Sequence, residues 1–168
     1  MFEEERSGRS GLAAVVAVLA TGWALLGGLV LLAVVGINAL SVAGAALGHP
    51  LAGDFEMTEM GIAVAVFAFL PYCQLTDANV TADIFTARAS ARSVSALRAL
   101  AALVACGFAA VLLWRMSLGL ADHRSYSSIT AILQIPVWWA FVPVLVSLVL
   151  LIATSVLSFI ESLREAVA

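Results

Sequence analysis

Lysine is absent from this 168-residue chain, and charged residues make up only 11% of it. The eight basic residues are all arginine, and against eleven acidic residues they leave a formal net charge of −3. No basic stretch is dense enough to neutralise a row of phosphates, so nothing points to a nucleic-acid partner. Cysteine occurs twice, as Cys73 and Cys106, with no CxxC pair and no neighbouring histidine. The pair reads as small, polarizable core residues, because a thiol oxidoreductase would need paired, accessible thiols. There is no metal-ligand cluster, no Ser/His/Asp set and no glycine-rich phosphate loop. Neither cofactor nor metal is called for, and the chain is not expected to be an enzyme. His49 and His123 read as plain loop histidines.

What the chain does have is four long runs without a formal charge, in a composition that is 63% hydrophobic. Arg9 to Asp54 encloses 44 such residues, Glu59 to Asp77 encloses 17, Arg98 to Arg115 encloses 16 and Arg124 to Glu161 encloses 36. A water-soluble domain could not cover that much apolar surface. A hydrocarbon slab of about 30 Å takes roughly 20 helical residues per crossing. The expected fold is therefore an all-α integral membrane protein, a single four-helix domain with spans at about residues 12–47, 55–76, 93–115 and 136–159. That leaves no room for a soluble catalytic domain. The opening Glu3, Glu4 and Glu5 and the length of the first run are unlike a signal peptide, whose core is roughly 7–15 residues. The first helix is expected to stay in the mature protein.

The first helix would be about 55 Å long at 1.5 Å per residue, more than one perpendicular crossing needs. Gly44 and Gly48 form a GxxxG, and Gly27, Gly28 and Gly36 add smooth surface, so these positions are candidates for a close helix contact. His49, Pro50 and Gly53 break the helix, and Asp54 then stands in the place of an N-cap. Glu56 and Glu59 share a face in the first turns of the second helix, where the helix dipole favours carboxylates. An exposed acidic pair there could also meet a partner. Pro71 falls late in the second helix, near Gln74, and Pro143 lies inside the fourth.

Between the second and third helices, Val80, Ile84, Ala87 and Ala91 fall at helical spacing, while Asp83, Thr86, Arg88 and Arg92 are polar. This reads as a short amphipathic helix lying among lipid headgroups. Arg98 and Arg115 would snorkel towards opposite faces of the membrane. Ser117 to Gln134 reads as the longest polar connection, with a second half, Ile129 to Ile135, apolar enough to touch the membrane. Pro136 then fits the first turn of the last helix, and Trp138 and Trp139 the depth of an aromatic belt. Arginine placement orients the chain: Arg6, Arg9, Arg88, Arg92, Arg98 and Arg164 on one side outnumber Arg115 and Arg124 on the other, which puts both termini in the cytoplasm. No Asp, Glu or Arg falls in the middle of a span, where a stand-alone transporter usually keeps its coupling groups. The residues alone describe an accessory membrane subunit. A small homo-oligomeric transporter or channel is the alternative, with only Ser, Thr, Asn38 and Gln74 to line it.

Three stretches carry a family resemblance. They are Gly53-Asp54-Phe55-Glu56 through Phe69-Leu70-Pro71-Tyr72-Cys73-Gln74, then Asn79-Val80-Thr81-Ala82-Asp83, and Leu133-Gln134-Ile135-Pro136-Val137-Trp138-Trp139. Together they resemble the small permease subunit of tripartite ATP-independent periplasmic (TRAP) transporters, over essentially the whole chain. Ala82 departs from the pattern, where a larger aliphatic is usual. The resemblance implies a bacterial inner-membrane complex with a large multi-span permease subunit and a periplasmic solute-binding protein. It implies import of an organic acid on a sodium gradient, with this subunit bracing the large one and helping to dock the binding protein. It singles out Asn79 and Asp83, four apart on one helical face, as an interfacial anchor or subunit contact, with helix capping as the plain reading. Gln74, Arg88, Gly44 and Gly48 join them as candidate interface contacts. Glu56, Glu59 and Arg124 are candidates for the periplasmic docking face.

Overall fold

The computed structural model describes residues 11–76, 78 and 91–167. Four helices account for nearly all of them: α1 (Leu12–Ala46), α2 (Asp54–Leu75), α3 (Ala91–Ser125) and α4 (Trp138–Val167). All four are long and apolar enough to cross a membrane, and the described residues contain no strand beyond an isolated bridge between Ile129 and Pro136. The amphipathic helix expected over Asn79 to Arg92, and with it Asn79, Asp83 and Arg88, lies outside the residues whose side chains are described.

The helices form two antiparallel hairpins. α1 packs on α2, α3 packs on α4, and the hairpins meet where α2 packs on α4. The resulting order is α1–α2–α4–α3, with a lighter contact of α1 on α4. The buried positions of α1 are Ala20, Ala24, Gly27, Val34 and Ser41, a seam stepped by four, three, seven and seven residues and so confined to one face. Opposite them lie Gly61, Ala65 and Ala68. A β-carbon built on Gly27 would come 2.7 Å from that of Ala68, and one on Gly61 would overlap the Val34 side chain. Lipid is as apolar as leucine, so such helices associate through close packing, and small residues permit it. On the other side of α2 the core gathers around Val144, Leu148 and Leu151 of α4 and Ala109 of α3, with Phe67 and Leu70 of α2 against them.

As the element shared by both halves, α4 also buries hydroxyls: Ser147, Thr154, Ser155 and Ser162. Thr154 donates to the Leu151 carbonyl at 3.0 Å and Ser147 to the Pro143 carbonyl at 2.8 Å, so these two find acceptors within their own helix, while the Ser155 hydroxyl is buried without a hydrogen-bond partner. Two further bonds run between helices. The Trp23 indole N–H donates to Ser147 Oγ at 2.8 Å, tying α1 to α4, and Ser158 donates to the Gln74 carbonyl at 3.4 Å, tying α4 to α2.

Two boundaries differ from the sequence expectation. The polarity from Ser117 onward predicts a connection, but α3 continues as helix to Ser125. The added turns lie along the start of α4: a β-carbon on Gly119 would touch the Phe141 ring at 3.0 Å, and the His123 ring sits 5.1 Å from that of Phe141. His123 and Arg124 in the last turn also suit the negative end of the helix dipole. Polarity there marks the approach to water, not the end of the helix. At α4, Pro136 was expected in the first turn. It lies two residues before Trp138, bridged to Ile129, and the helix runs on past Phe159 to Val167.

Candidate functional site

Of the stretches that carry the family resemblance, residues 79–83 lie outside the described residues and residues 69–74 form the far end of α2. Residues 53–56 and 133–139 meet at the end of the molecule that holds the α1–α2 and α3–α4 connections, and there the geometry is well defined.

The α1–α2 turn begins with a glycine-dependent cap. Gly48 has φ +81°, its N–H donates to the Ala45 carbonyl at 3.1 Å, and the N–H of His49 donates to the Gly44 carbonyl at 2.8 Å. This pair of bonds is the Schellman arrangement, which satisfies the last carbonyls of a helix. A β-carbon on Gly44 would collide with the His49 carbonyl oxygen. Within the described chain the GxxxG at Gly44 and Gly48 therefore serves the turn, while Gly27 and Gly61 serve the helix contact. The signal for the former was the His-Pro that follows. For the latter no signal exists in sequence, because one glycine among several is chosen by the rotation of the helix.

α2 opens one residue earlier than its expected cap. Gly53, at φ +82°, takes the cap position, and Asp54 is the first helical residue. The Asp54 carboxylate accepts from the Phe55 N–H at 2.8 Å and from the Ser41 hydroxyl, and so fastens α2 to the seam of α1. One turn on, Asn38 of α1 donates to Thr58 Oγ1 at 2.7 Å.

Glu56 reaches the other hairpin. Its Oε1 accepts from the Ile132 N–H at 2.7 Å and its Oε2 from the Leu133 N–H at 2.9 Å. Leu133 in turn covers Gly53, where any β-carbon would overlap its side chain. Gln134, beside it, is held at φ +53°, a conformation that non-glycine residues rarely adopt. Glu56, read as a carboxylate suited to the start of α2 and a candidate for a docking face, has both carboxylate oxygens engaged within the chain. Glu59 is exposed. Arg124 is also exposed, with its guanidinium carbon 5.7 Å from the centre of the Trp138 ring, in cation–π range. Gln74 lies at the opposite end of α2, buried, with its carbonyl accepting from Ser158.

An open groove of about 840 Å³ runs between α1 and α2 near this end, lined by Val34, Val35, Ala39, Val42, Thr58 and Ile62 among others. A second, of about 600 Å³, continues it towards Gly28, Leu32 and Phe69. Asn38 and Thr58, the polar residues lining the first groove, are bonded to each other.

An all-helical chain with four helices of this length and apolarity is an integral membrane protein. A family model described as the tripartite ATP-independent periplasmic transporters, DctQ component, matches residues 34–165, and the chain belongs to that family. It is the small membrane subunit of a TRAP transporter, a transporter component and not an enzyme. No match was found among curated proteins or among solved structures.

Proposed function

We propose that this subunit does not itself carry solute but braces the large permease subunit of a sodium-driven organic-acid importer in the bacterial inner membrane, and that its loop end helps to dock the periplasmic solute-binding protein. The observation that carries the bracing role is the α1–α2 groove. It follows a 35-residue helix that is apolar along its length, and the Asn38 amide N–H groups are already spent on Thr58 Oγ1 and the Val34 carbonyl. Such a groove offers little to hold a carboxylate or sodium, but it suits the ridge of another apolar helix. At about 52 Å, α1 is longer than the hydrocarbon slab, so lipid tails alone do not cover it unless it tilts steeply. A large multi-span subunit lying in the groove would cover it. The excess of arginine at the opposite end supports placing the loop end in the periplasm and both termini in the cytoplasm.

The test is sodium-gradient-driven uptake in proteoliposomes holding the large subunit and binding protein, with and without this chain. Uptake and a stable complex are expected to require it. Gly28→Leu, which fills the groove at a position with no neighbour within 4 Å, is expected to leave this chain folded and to weaken co-purification of the large subunit. Full uptake without the chain would refute bracing, and uptake by this chain alone would establish a small self-sufficient transporter instead.

A further inference from the structure

The α3–α4 connection is built as a plate, not a slack tether. Ser128 to Thr130 runs antiparallel to Ile135 to Val137: the Thr130 N–H donates to the Ile135 carbonyl at 3.0 Å and the Val137 N–H to the Ser128 carbonyl at 3.0 Å. The Ile135 N–H adds a bond to Thr130 Oγ1 at 3.1 Å. The Ser128 N–H joins the plate to the His123 carbonyl of α3 at 3.0 Å. At its tip, the successive amides of Ile132 and Leu133 both turn to one carboxylate, that of Glu56, which belongs to the other hairpin.

Two bonds from adjacent amides to the two oxygens of an ionised group are charge-assisted and fix both distance and rotation. With Leu133 seated over Gly53, they set the plate in one position on the start of α2. In that position Ile129 is 54% exposed, Ile132 60% and Tyr126 81%. These side chains lie in the connection between α3 and α4, directly after the exposed charges of Asp122 and Arg124 in the last turn of α3. A small apolar centre with a charged rim is the anatomy of a transient protein interface, unlike the unbroken apolar face a helix shows to lipid. A pre-set surface also loses less conformational freedom on each encounter, which suits a partner that binds and leaves in every cycle.

We propose that Glu56 is a positioning residue: its carboxylate latches the α3–α4 plate and so presents Ile129, Ile132 and Tyr126 as the surface on which the periplasmic solute-binding protein docks. This rests on the reading that the loop end is a periplasmic docking face, and two independent readouts keep the two ideas apart. The first is amide hydrogen exchange over residues 128–137, on the complex of full-length chain and large subunit in lipid nanodiscs. The second is uptake in proteoliposomes as a function of binding-protein concentration. Glu56→Gln preserves shape but removes the charge and sets a donor against one amide.

In Glu56→Gln, exchange at Ile132 and Leu133 is expected to rise about tenfold or more, with the helices unchanged. The binding-protein concentration for half-maximal uptake is expected to rise several-fold, while the maximal rate at saturation is kept. Ile132→Ser, which leaves the latch in place, is expected to raise half-saturation without altering exchange, and Glu59→Gln to leave exchange unchanged. Unaltered exchange in Glu56→Gln overturns the latch. Faster exchange with unaltered half-saturation in both Glu56→Gln and Ile132→Ser overturns docking at this surface, whether or not the latch exists. A fall in maximal rate with loss of the large subunit from the complex overturns the proposal in favour of a plainly structural role.

Discussion

Gly27→Ala adds one methyl group at the tightest point of the α1–α2 seam, and its consequence can be worked out from the geometry. The new carbon would lie 2.7 Å from Ala68 Cβ and 3.4 Å from the Ala65 carbonyl oxygen. Non-bonded carbons rest at about 3.5–4.0 Å, so the helices must part by about 1 Å or rotate past each other. Neither neighbour can yield by changing rotamer: Ala65 and Ala68 are buried and have no side chain beyond Cβ. Overpacking of this kind costs about 1–3 kcal/mol. Alanine recovers up to about 1 kcal/mol of helix propensity over glycine. The net expectation is a loss of up to about 2 kcal/mol, which follows from those two terms. Gly36→Ala, on the same helix, meets nothing within 4 Å and keeps the propensity term alone, so it should be neutral or stabilising. Thermal unfolding of the purified chain in nanodiscs, followed by circular dichroism, compares the two directly. If Gly27→Ala unfolds at or above the temperature of Gly36→Ala, the seam is not where the structure places it.

Two further substitutions test the loop end and the joint between hairpins. Gly48→Ala puts a β-carbon on a residue at φ +81°, and a loss of about 1 kcal/mol in the same unfolding measurement is expected, with α1 fraying at its last turn. Ser147→Ala takes away the acceptor of the Trp23 indole, at an expected cost of about 0.6–1 kcal/mol for a polar contact between membrane helices. A double-mutant cycle with Trp23→Phe reads that coupling, and strictly additive effects would deny the bond.

The four helices were legible because their cause is local. A bilayer tolerates only backbone that satisfies itself, so uncharged length announces a spanning helix whatever surrounds it. Their ends were less legible. Ser117 to Ser125 looks like a loop by polarity, yet it is helix because Phe141 and Trp138 of α4 give its Gly119 and Arg124 something to pack on. The acidic start of α2 was visible as a cluster, but its use was not. Asp54 takes the Ser41 hydroxyl and Glu56 takes two amides some 76 positions away, partners that no sequence spacing relates.

Composition and charge pattern by themselves determined that this protein lies in a membrane as four helices, which end leads in arginine, and that the spans hold no buried charge. Those properties depend on transfer of each segment from water and need no knowledge of neighbours. The tertiary structure decided the rest: the order α1–α2–α4–α3, the choice of Gly27 and Gly61 over Gly44 and Gly48 for helix contact, and the fastening of the α3–α4 connection by Glu56. Each of these turns on how one helix is rotated and set against another, a matter of close packing between residues far apart in the chain.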